Sequence, residues 1–266
     1  MKKFMAVSAL TGAMLFNTAV AAPSIQRETV NQVALLQSLT LGYFDGSVTV
    51  KELKKLGDTG IGTFEGLNGE LIMLDGVVYR ANQECEINVV DNKVTIPFAN
   101  VTFFDKDFSV KLADVPNKTA LEARLNQLVN QHGKNRFYMI KLTGDFNEIL
   151  VRSEAGQEKP YPTLVQALQA TQNELSLKGV TGTIVGLYCP AEMSSLNTVG
   201  WHFHFVTKDR QFGGHVLDLD LNTGEAQFDI TDNFTMRLPA QKNFNDLNLA
   251  QDLKEDITKA EQDRRQ

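Results

Sequence analysis

The chain has 266 residues, 42% of them hydrophobic, and a formal net charge of −6, which is enough material for one large domain or two smaller ones. No basic stripe with interleaved aromatic residues occurs, so the electrostatic surface of a nucleic-acid-binding protein is excluded. Beyond the N-terminal segment, no apolar run approaches the roughly 20 residues that a membrane-spanning helix needs.

The first 21 residues have the pattern of a secretory signal peptide. Lys2 and Lys3 form a basic start, residues 4–16 are a short apolar run, and residues 19–21 (Ala-Val-Ala) match an A-x-A cleavage site. We therefore predict cleavage after Ala21 and a mature protein that lies in the periplasm or outside the cell, without a membrane anchor.

Helical spacing of apolar residues is confined to a few segments. The predicted helices cover residues 30–39, 50–56, 118–132, 162–175 and 247–261. The third is the best defined, because Asn117 is a suitable N-cap and Gly133 a suitable C-terminal stop. His132 lies in the last turn of this helix, at the negative end of the helix dipole. That position explains the residue without a metal-binding role.

Strands dominate the remainder of the chain. The predicted strands cover residues 61–64, 70–74, 77–81, 86–90, 93–98, 101–104, 137–142, 146–152, 179–187, 201–206, 215–221 and 227–238. Residues 143–145 (Thr-Gly-Asp) predict a hairpin turn. The fold class is therefore α+β, with mainly antiparallel or mixed β-structure.

Three of the four histidines lie close together, as His202, His204 and His215. Alternation of aromatic residues and histidine from residue 201 to 206 is strand periodicity, which places His202 and His204 on one face. A polar, glycine-containing loop leads to a second strand that starts at His215. If His204 lies opposite His215 in a hairpin, all three imidazoles converge on one ion, and three histidines with an open position are typical of a catalytic zinc site.

Other interpretations of these residues exist. Histidines can be satisfied core residues, and three imidazoles also suit copper, iron or nickel. Cys85 and Cys189 are the only cysteines, and in an oxidising compartment they are compatible with one disulfide or with two buried thiols. Neither belongs to a C-x-x-C pair, which makes both poor candidates for metal ligands.

Several segments resemble, in the same order, those of the α-acetolactate decarboxylases. They are residues 62–64 (Gly-Thr-Phe), 67–71 (Leu-Asn-Gly-Glu-Leu), 97–99 (Pro-Phe-Ala), 137–140 (Phe-Tyr-Met-Ile), 200–205 (Gly-Trp-His-Phe-His-Phe) and 213–218 (Gly-Gly-His-Val-Leu-Asp). The resemblance covers nearly all of the mature chain. It implies two β-rich halves, one an open mixed sheet and one barrel-like. The helical segments around residues 117–133 and 160–175 are the two possible divides. Taking the second, we expect the mixed-sheet half over residues 22–160 and the barrel-like half, with the metal site and a C-terminal helical segment, over residues 161–266.

The resemblance also implies roles for individual residues. His202, His204 and His215 would hold Zn²⁺, and Thr63 would bind substrate. Three further residues, Arg152, Glu70 and Glu261, would be catalytic. The sequence departs from the family pattern at Asn68, where an acid is common, and at Trp201, where tyrosine is usual, but no proposed metal ligand is affected.

The activity implied is zinc-dependent decarboxylation of 2-acetolactate to acetoin and CO₂, through a metal-stabilised enediolate and stereoselective protonation. The resemblance suggests a homodimer. Arg152 would bind a carboxylate, because guanidinium presents a planar fork of donors. Glu70 and Glu261 compete for the roles of outer ligand and proton donor, and the sequence does not choose between them.

Three alternatives belong to other functional classes. A cupin-like metalloenzyme would place a glutamate four or five residues after the second histidine, where this chain has Lys208 and Asp209. A hydrolase using zinc-bound hydroxide is compatible with three imidazoles. An exported metal-binding or metal-delivery protein would need no turnover at all.

Overall fold

The computed structural model describes residues 27–194 and 196–261, with the backbone alone for residue 261. The predicted signal peptide therefore lies outside the described residues. Within the described part of the chain, no helix is both long and apolar enough to cross a membrane.

Seven short strands form a mixed sheet. They are β1 (Thr29–Val33), β3 (Thr59–Thr63), β4 (Glu70–Leu74), β5 (Val77–Ala81), β6 (Ile87–Val89), β8 (Phe98–Thr102) and β14 (Asn233–Arg237). Their order is β14-β1-β8-β3-β4-β5-β6. Only β1 and β14 pair in parallel, and the other neighbours are antiparallel. A separate two-stranded ladder joins β2 (Val48–Thr49) to β7 (Thr95–Ile96).

Five longer strands form the second sheet. They are β9 (Phe108–Val115), β10 (Phe137–Ser153), β11 (Asn173–Cys189), β12 (Gly200–Thr207) and β13 (Gly213–Thr231). The order is β10-β11-β12-β13-β9, and β10 also pairs with β13. The pairings of β10, β11, β12 and β13 therefore form a closed ring.

Six α-helices accompany the sheets in the part of the chain that the structure describes. They are α1 (Leu36–Thr40), α2 (Val50–Leu53), α3 (Lys118–His132), α4 (Leu164–Thr171), α5 (Lys242–Asn245) and α6 (Lys254–Glu261). The prediction for α3 is confirmed: the Asn117 side chain accepts a hydrogen bond from the Ala120 N–H at 2.8 Å, and Gly133 follows the last helical residue with φ of 120°. Leu121 and Leu125 of α3 pack into the core of the second sheet.

The predicted hairpin at residues 143–145 is wrong, because those residues lie inside β10. Gly144 is paired with Gly182 of β11 on one side and with Gly224 of β13 on the other. A Cβ atom at Gly144 would lie 2.5 Å from the Thr223 carbonyl oxygen. The glycine therefore permits a close approach of strands, and the sequence offers no local sign that separates this role from a turn.

Two predicted helices are shortened by strand pairing. The first half of residues 30–39 forms β1, which lies between β8 and β14, and only its second half contains α1. The helix predicted over residues 162–175 ends at Thr171, because β11 begins at Asn173 and pairs with β10. In both cases pairing partners distant in sequence override helical spacing.

The two sheets pack against each other through a buried apolar layer. Val30, Ile61 and Ile72 of the seven-stranded sheet meet Met139 and Val185 of the five-stranded sheet. Strands on either side of residue 160 contribute to each sheet, since β14 joins the first sheet and β9 and β10 join the second. The division between the sheets thus does not coincide with the one expected at residue 160.

Both cysteines are free and buried. Burial, with repulsion from Glu154 and Glu70 adding to it, raises the pKa of Cys85 to about 12. Burial similarly raises the pKa of Cys189 to about 12. Both side chains therefore behave as buried apolar groups, and the disulfide alternative is not the one this structure adopts.

Candidate metal centre and active site

Three histidine nitrogens converge on the surface of the β12–β13 pair. His204 lies directly opposite His215 in the antiparallel register, which confirms the predicted hairpin. His202 Nε2 lies 3.1 Å from His204 Nε2 and 3.0 Å from His215 Nδ1. The three side chains form a group that could hold a metal ion.

These separations fit a shared divalent cation. Tetrahedral coordination with zinc–nitrogen bonds of about 2.0–2.1 Å places neighbouring nitrogens roughly 3.3 Å apart. His204 Nδ1 lies 2.8 Å from the Leu71 carbonyl oxygen, and a carbonyl only accepts, so Nδ1 carries the proton. In the neutral imidazole the lone pair of His204 is then on Nε2, the nitrogen that lies 3.1 Å from His202 Nε2.

The protonation state of the cluster favours metal binding. Burial, with smaller contributions from Lys118 and Arg152, lowers the pKa of His202 to about 3. Burial, followed by repulsion from Arg152, lowers the pKa of His215 well below its usual value. Both imidazoles are neutral at pH 7, which is the form in which histidine binds metals.

Glu70 and Thr63 approach the histidines from the other sheet. They face each other across the β3–β4 pair, and both are buried. The Glu70 Oε2 atom lies 3.4 Å from His204 Nε2. Thr63 Oγ1 donates a 2.9 Å hydrogen bond to the Gly69 carbonyl oxygen. Gly69 has φ of 85°, and a Cβ there would lie 2.2 Å from the Ala81 carbonyl oxygen, so this turn requires glycine.

Arg152 is a buried cation beside the histidines. It lies opposite His215 in the β10–β13 register, and only 4% of its surface is exposed. One guanidinium nitrogen donates to the Ala260 carbonyl oxygen at 2.7 Å, and another donates to Gln172 Oε1 at 3.2 Å. These two bonds fix the guanidinium plane at the cavity wall.

The side chain of Glu261 lies outside the described part of the structure. Its backbone ends α6 and directly follows Ala260, whose carbonyl oxygen Arg152 binds. The chain at residue 261 is thereby brought to the wall of the metal cavity.

Comparison with known proteins identifies the family of this fold and site. Residues 30–251 match the family model described as alpha-acetolactate decarboxylase. The chain belongs to the alpha-acetolactate decarboxylase family. It is 40% identical over 234 residues to the alpha-acetolactate decarboxylase of Methanosarcina mazei, a match that covers 88% of this chain and 80% of the relative. The corresponding protein of Bacillus subtilis is 36% identical over 220 residues, 83% of this chain and 85% of its own length.

Solved structures agree with the alpha-acetolactate decarboxylase assignment. The crystal structure of the Bacillus subtilis strain 168 enzyme superimposes with a TM-score of 0.85 at 34% identity, covering 88% of this chain and 100% of that one. A Staphylococcus aureus protein described as similar to alpha-acetolactate decarboxylase superimposes with a TM-score of 0.81 at 28% identity, covering 87% of this chain and 99% of that one.

One small cavity brings most of the predicted site residues together. Its volume is about 30 Å³, and its wall contains all three histidines together with Thr63, Glu70 and Arg152. Sequence reasoning missed the apolar part of this wall, because its residues come from α1, α4, β8 and the turn between β3 and β4. These residues are Leu36, Leu39, Leu67, Phe98, Leu164 and Leu168.

Sequence reasoning also missed Glu154, which is buried and lines the same cavity. It follows Arg152 by two residues, immediately after the end of β10. Because strand residues two apart share a face, this spacing is the signal that could have identified it.

Proposed function

We propose that this chain is a metal-dependent lyase that converts 2-acetolactate to acetoin and CO₂. The observation that carries the proposal is the convergence of three histidine nitrogens beside buried Arg152 and Glu70, in a chain of the alpha-acetolactate decarboxylase family. His202, His204 and His215 would hold the cation, and zinc fits the donor set and the 3.0–3.1 Å separations. When bound, a divalent cation supplies a Lewis acid that polarises the ketone next to the departing carboxylate.

Arg152 is proposed as the group that orients the substrate anion. Its guanidinium is already anchored by Ala260 and Gln172, so little side-chain freedom is lost when it binds a carboxylate or an enediolate oxygen. Loss of CO₂ leaves an electron pair on carbon, which delocalises onto the oxygen of the neighbouring ketone. A fixed cation in a buried cavity stabilises that negative charge.

Protonation of the resulting carbon needs an acid on one face of the substrate. Glu70 is close to His204 and lies on the seven-stranded sheet, whereas residue 261 approaches at the end of α6. We assign the outer-ligand and proton-donor roles to this pair of glutamates, with Thr63 binding a substrate oxygen. Donors held on different elements deliver a proton from a defined direction, which would make the product a single enantiomer.

The apolar wall has a separate task in this proposal. Leu36, Leu39, Leu164 and Leu168 belong to one buried cluster with Ala260, formed by α1, α4 and α6. Such a wall accommodates the methyl groups of the substrate and excludes water from the enediolate. Exclusion of water strengthens the interaction between Arg152 and the developing charge.

The test is acetoin formation from racemic 2-acetolactate by the purified mature protein, with and without a chelator. We expect chelator-sensitive acetoin formation that zinc restores, with copper, iron and nickel compared in parallel. Chiral chromatography of the product checks the stereoselectivity. No acetoin from folded, metal-loaded protein would overturn the enzymatic proposal and favour metal delivery instead.

Export, the homodimer and the barrel-like half stay predictions. The closed ring of pairings among β10, β11, β12 and β13 supports the barrel-like half. N-terminal sequencing of secreted protein tests cleavage after Ala21, and sedimentation tests the homodimer.

A further inference from the structure

Glu154 is a buried carboxyl group in the wall of the metal cavity. Only 1% of its surface is exposed. It lines the same cavity as Arg152, Glu70 and the three histidines. The proposed reaction assigns it no role, although a buried carboxyl group in a cavity that receives an anion has to affect what binds there.

Strand alternation directs Glu154 into the cavity. Ser153 lies between Arg152 and Glu154, is fully buried, and donates a 2.9 Å hydrogen bond from Oγ to the Ala81 carbonyl oxygen of β5. Ser153 is therefore turned towards the backbone of β5, whereas both of its neighbours line the cavity. Arg152 and Glu154 thus present opposite charges to the same space.

The backbone that follows Glu154 is attached to the turn between β3 and β4. The Gln157 N–H donates a 2.6 Å hydrogen bond to the Gly66 carbonyl oxygen. Gly156 packs so closely against this turn that a Cβ atom there would lie 3.0 Å from Asn68 Cγ. These contacts on one side and β10 on the other give Glu154 a fixed backbone position at the cavity wall.

The charges in the cavity wall are unequal in number. Among the described residues of the wall, Arg152 is the only cationic side chain, whereas Glu70 and Glu154 are both acidic. After burial itself, repulsion from Glu154 and then from Glu70 raises the pKa of the Cys85 thiol, which places both carboxylates within electrostatic range of the same group. These side chains alone would disfavour an anion, and a bound divalent cation reverses that balance.

This balance matches a ligand that has one carboxylate. An arginine and a divalent cation in the same cavity favour the ionised form of a carboxyl group such as Glu154. The first carboxylate of a ligand is compensated by Arg152 and the divalent cation. A second carboxylate would be buried without a cation of its own, in a cavity that already contains Glu154, and burial of an unpaired charge is strongly unfavourable.

We propose that Glu154 is a specificity-determining residue, which confines the site to monoanionic substrates by repelling ligands with a second carboxylate. The proposal rests on the proposed function for the identity of the monoanion, 2-acetolactate. It assigns Glu154 no part in the loss of CO₂ or in the protonation that follows. Small β-keto dicarboxylates present a similar ketone and carboxylate to a divalent cation, so charge rather than metal chemistry excludes them.

The test compares two non-reactive ligands of equal shape and different charge. They are 2-hydroxy-2-methylbutanedioate, a dianion, and its 4-amide, a monoanion, and both contain the tertiary alcohol and the first carboxylate of 2-acetolactate. Titration calorimetry with the zinc-loaded protein at pH 7 measures both dissociation constants without turnover. We expect the wild type to bind the amide about ten- to a hundred-fold more tightly, the effect of two like charges several ångströms apart in a partly buried site.

Variants of Glu154 separate its charge from its shape. Glu154→Gln removes the charge and keeps the shape, so the preference for the amide should fall by about ten-fold or more. Glu154→Asp keeps the charge and should keep the preference. Glu225→Gln is the charge-matched control, because Glu225 is exposed on β13 and does not line the cavity.

Two results would overturn the role of Glu154. One is a wild-type protein that binds the dianion as tightly as the amide, a comparison that needs no variant to fold. The other is an unchanged preference in Glu154→Gln. Absence of acetoin from metal-loaded wild-type protein would instead overturn the proposed function, and the charge preference of the two ligands would still decide the role of Glu154.

Discussion

The two sheets contribute to the cavity in different ways. The five-stranded sheet supplies all three histidines and Arg152 from paired strands, among them β10 with 17 residues and β13 with 19. The seven-stranded sheet supplies Thr63 and Glu70 from strands of five residues. The histidines are positioned by the pairing of their own strands and by the hydrogen bond between His204 Nδ1 and the Leu71 carbonyl oxygen. Glu70, which lies next to Leu71 in β4, is positioned relative to the histidines by that bond and by the packing of one sheet on the other.

This difference indicates which substitutions should affect metal binding and which should affect only the decarboxylation. Changes in His202, His204 or His215 on the paired strands β12 and β13 (the histidine ladder) should remove the metal and, with it, the catalytic activity. Changes in groups from other elements should leave the metal in place and alter the reaction.

The largest effect is expected at the histidine ladder. His204→Ala removes a ligand and leaves two imidazoles, so we expect no bound zinc and no measurable acetoin formation. Metal analysis and product assay of the same sample check this result. His132→Ala is the matched control, because His132 stacks on Phe108 at the end of α3 and lies outside the cavity. A fully active, metal-free His204→Ala protein would contradict the metal mechanism.

Replacement of Glu70 and Glu261 tests what β4 of the seven-stranded sheet and helix α6 contribute to the reaction. Glu70→Gln and Glu261→Gln each remove a titratable acid and nearly preserve volume, so zinc content should persist. Loss of the proton donor should slow turnover by about 10²–10⁴-fold, whereas loss of the other carboxylate should cost less. The proton donor is the glutamate whose replacement gives acetoin of lower enantiomeric purity. Unchanged rate and stereochemistry in both variants would remove both assignments.

Replacement of Arg152 should show that substrate orientation and metal binding are separate tasks, although both groups lie on the five-stranded sheet. Arg152→Ala should keep zinc and lower kcat/KM by about 10²–10³-fold, the usual effect of removing one group that stabilises a developing oxyanion. Arg152→Lys restores the charge without the two-pronged geometry and should be intermediate. Circular dichroism controls for the lost bond to Ala260. Normal turnover in Arg152→Ala would remove only the arginine assignment.

The last prediction concerns stability, at a point where the loop that joins the two sheets meets β13. Asp229 is buried and accepts a hydrogen bond from the Asp105 N–H. Burial, followed by repulsion from Asp107 and Glu28, outweighs that bond and raises the pKa of Asp229 to about 8. Between pH 4 and pH 8 the folded state therefore binds more protons at this carboxyl than the unfolded state.

Stability should consequently fall as the pH rises through that window, by up to about 1.4 kcal/mol per pH unit. Asp229→Asn cannot ionise, so we expect a flatter dependence of the unfolding free energy on pH, with the variant more stable than wild type near pH 8. Urea unfolding at pH 5, 6.5 and 8 measures the effect. Parallel pH dependences in the two proteins would show that Asp229 ionises freely.

The sequence predicts the histidine centre better than the rest of the cavity. Register in a short hairpin follows from alternation and loop length, which is why the pairing of His204 with His215 could be foreseen. Thr63, Glu70 and Arg152 were identified through the family resemblance, because no local pattern relates them to the histidines. The leucine wall was not predicted, since residues from several distant segments meet only after the sheets pack. Glu154 differs, because its spacing of two from Arg152 is a local signal that could have identified it.

The contrast between local patterns and contacts distant in sequence also explains the errors in the predicted fold. Gly144 was interpreted as a turn because glycine permits both turns and close strand contacts, and only its neighbours Gly182 and Gly224 decide between them. Residues 30–33 have helical spacing, yet they form a strand between β8 and β14. Strand partners that are distant in sequence determined both outcomes.

The parallel pairing of β1 with β14 has a consequence for the order in which the enzyme is completed during synthesis. His215, the last of the three histidines in the cavity, is synthesised before β14, so β1 can complete its parallel pairing only after that histidine is present. The hydrogen bond of Arg152 forms later still, because its carbonyl partner is Ala260. A nascent chain therefore carries all three histidines before it carries the strand that completes the seven-stranded sheet and the helix that anchors Arg152.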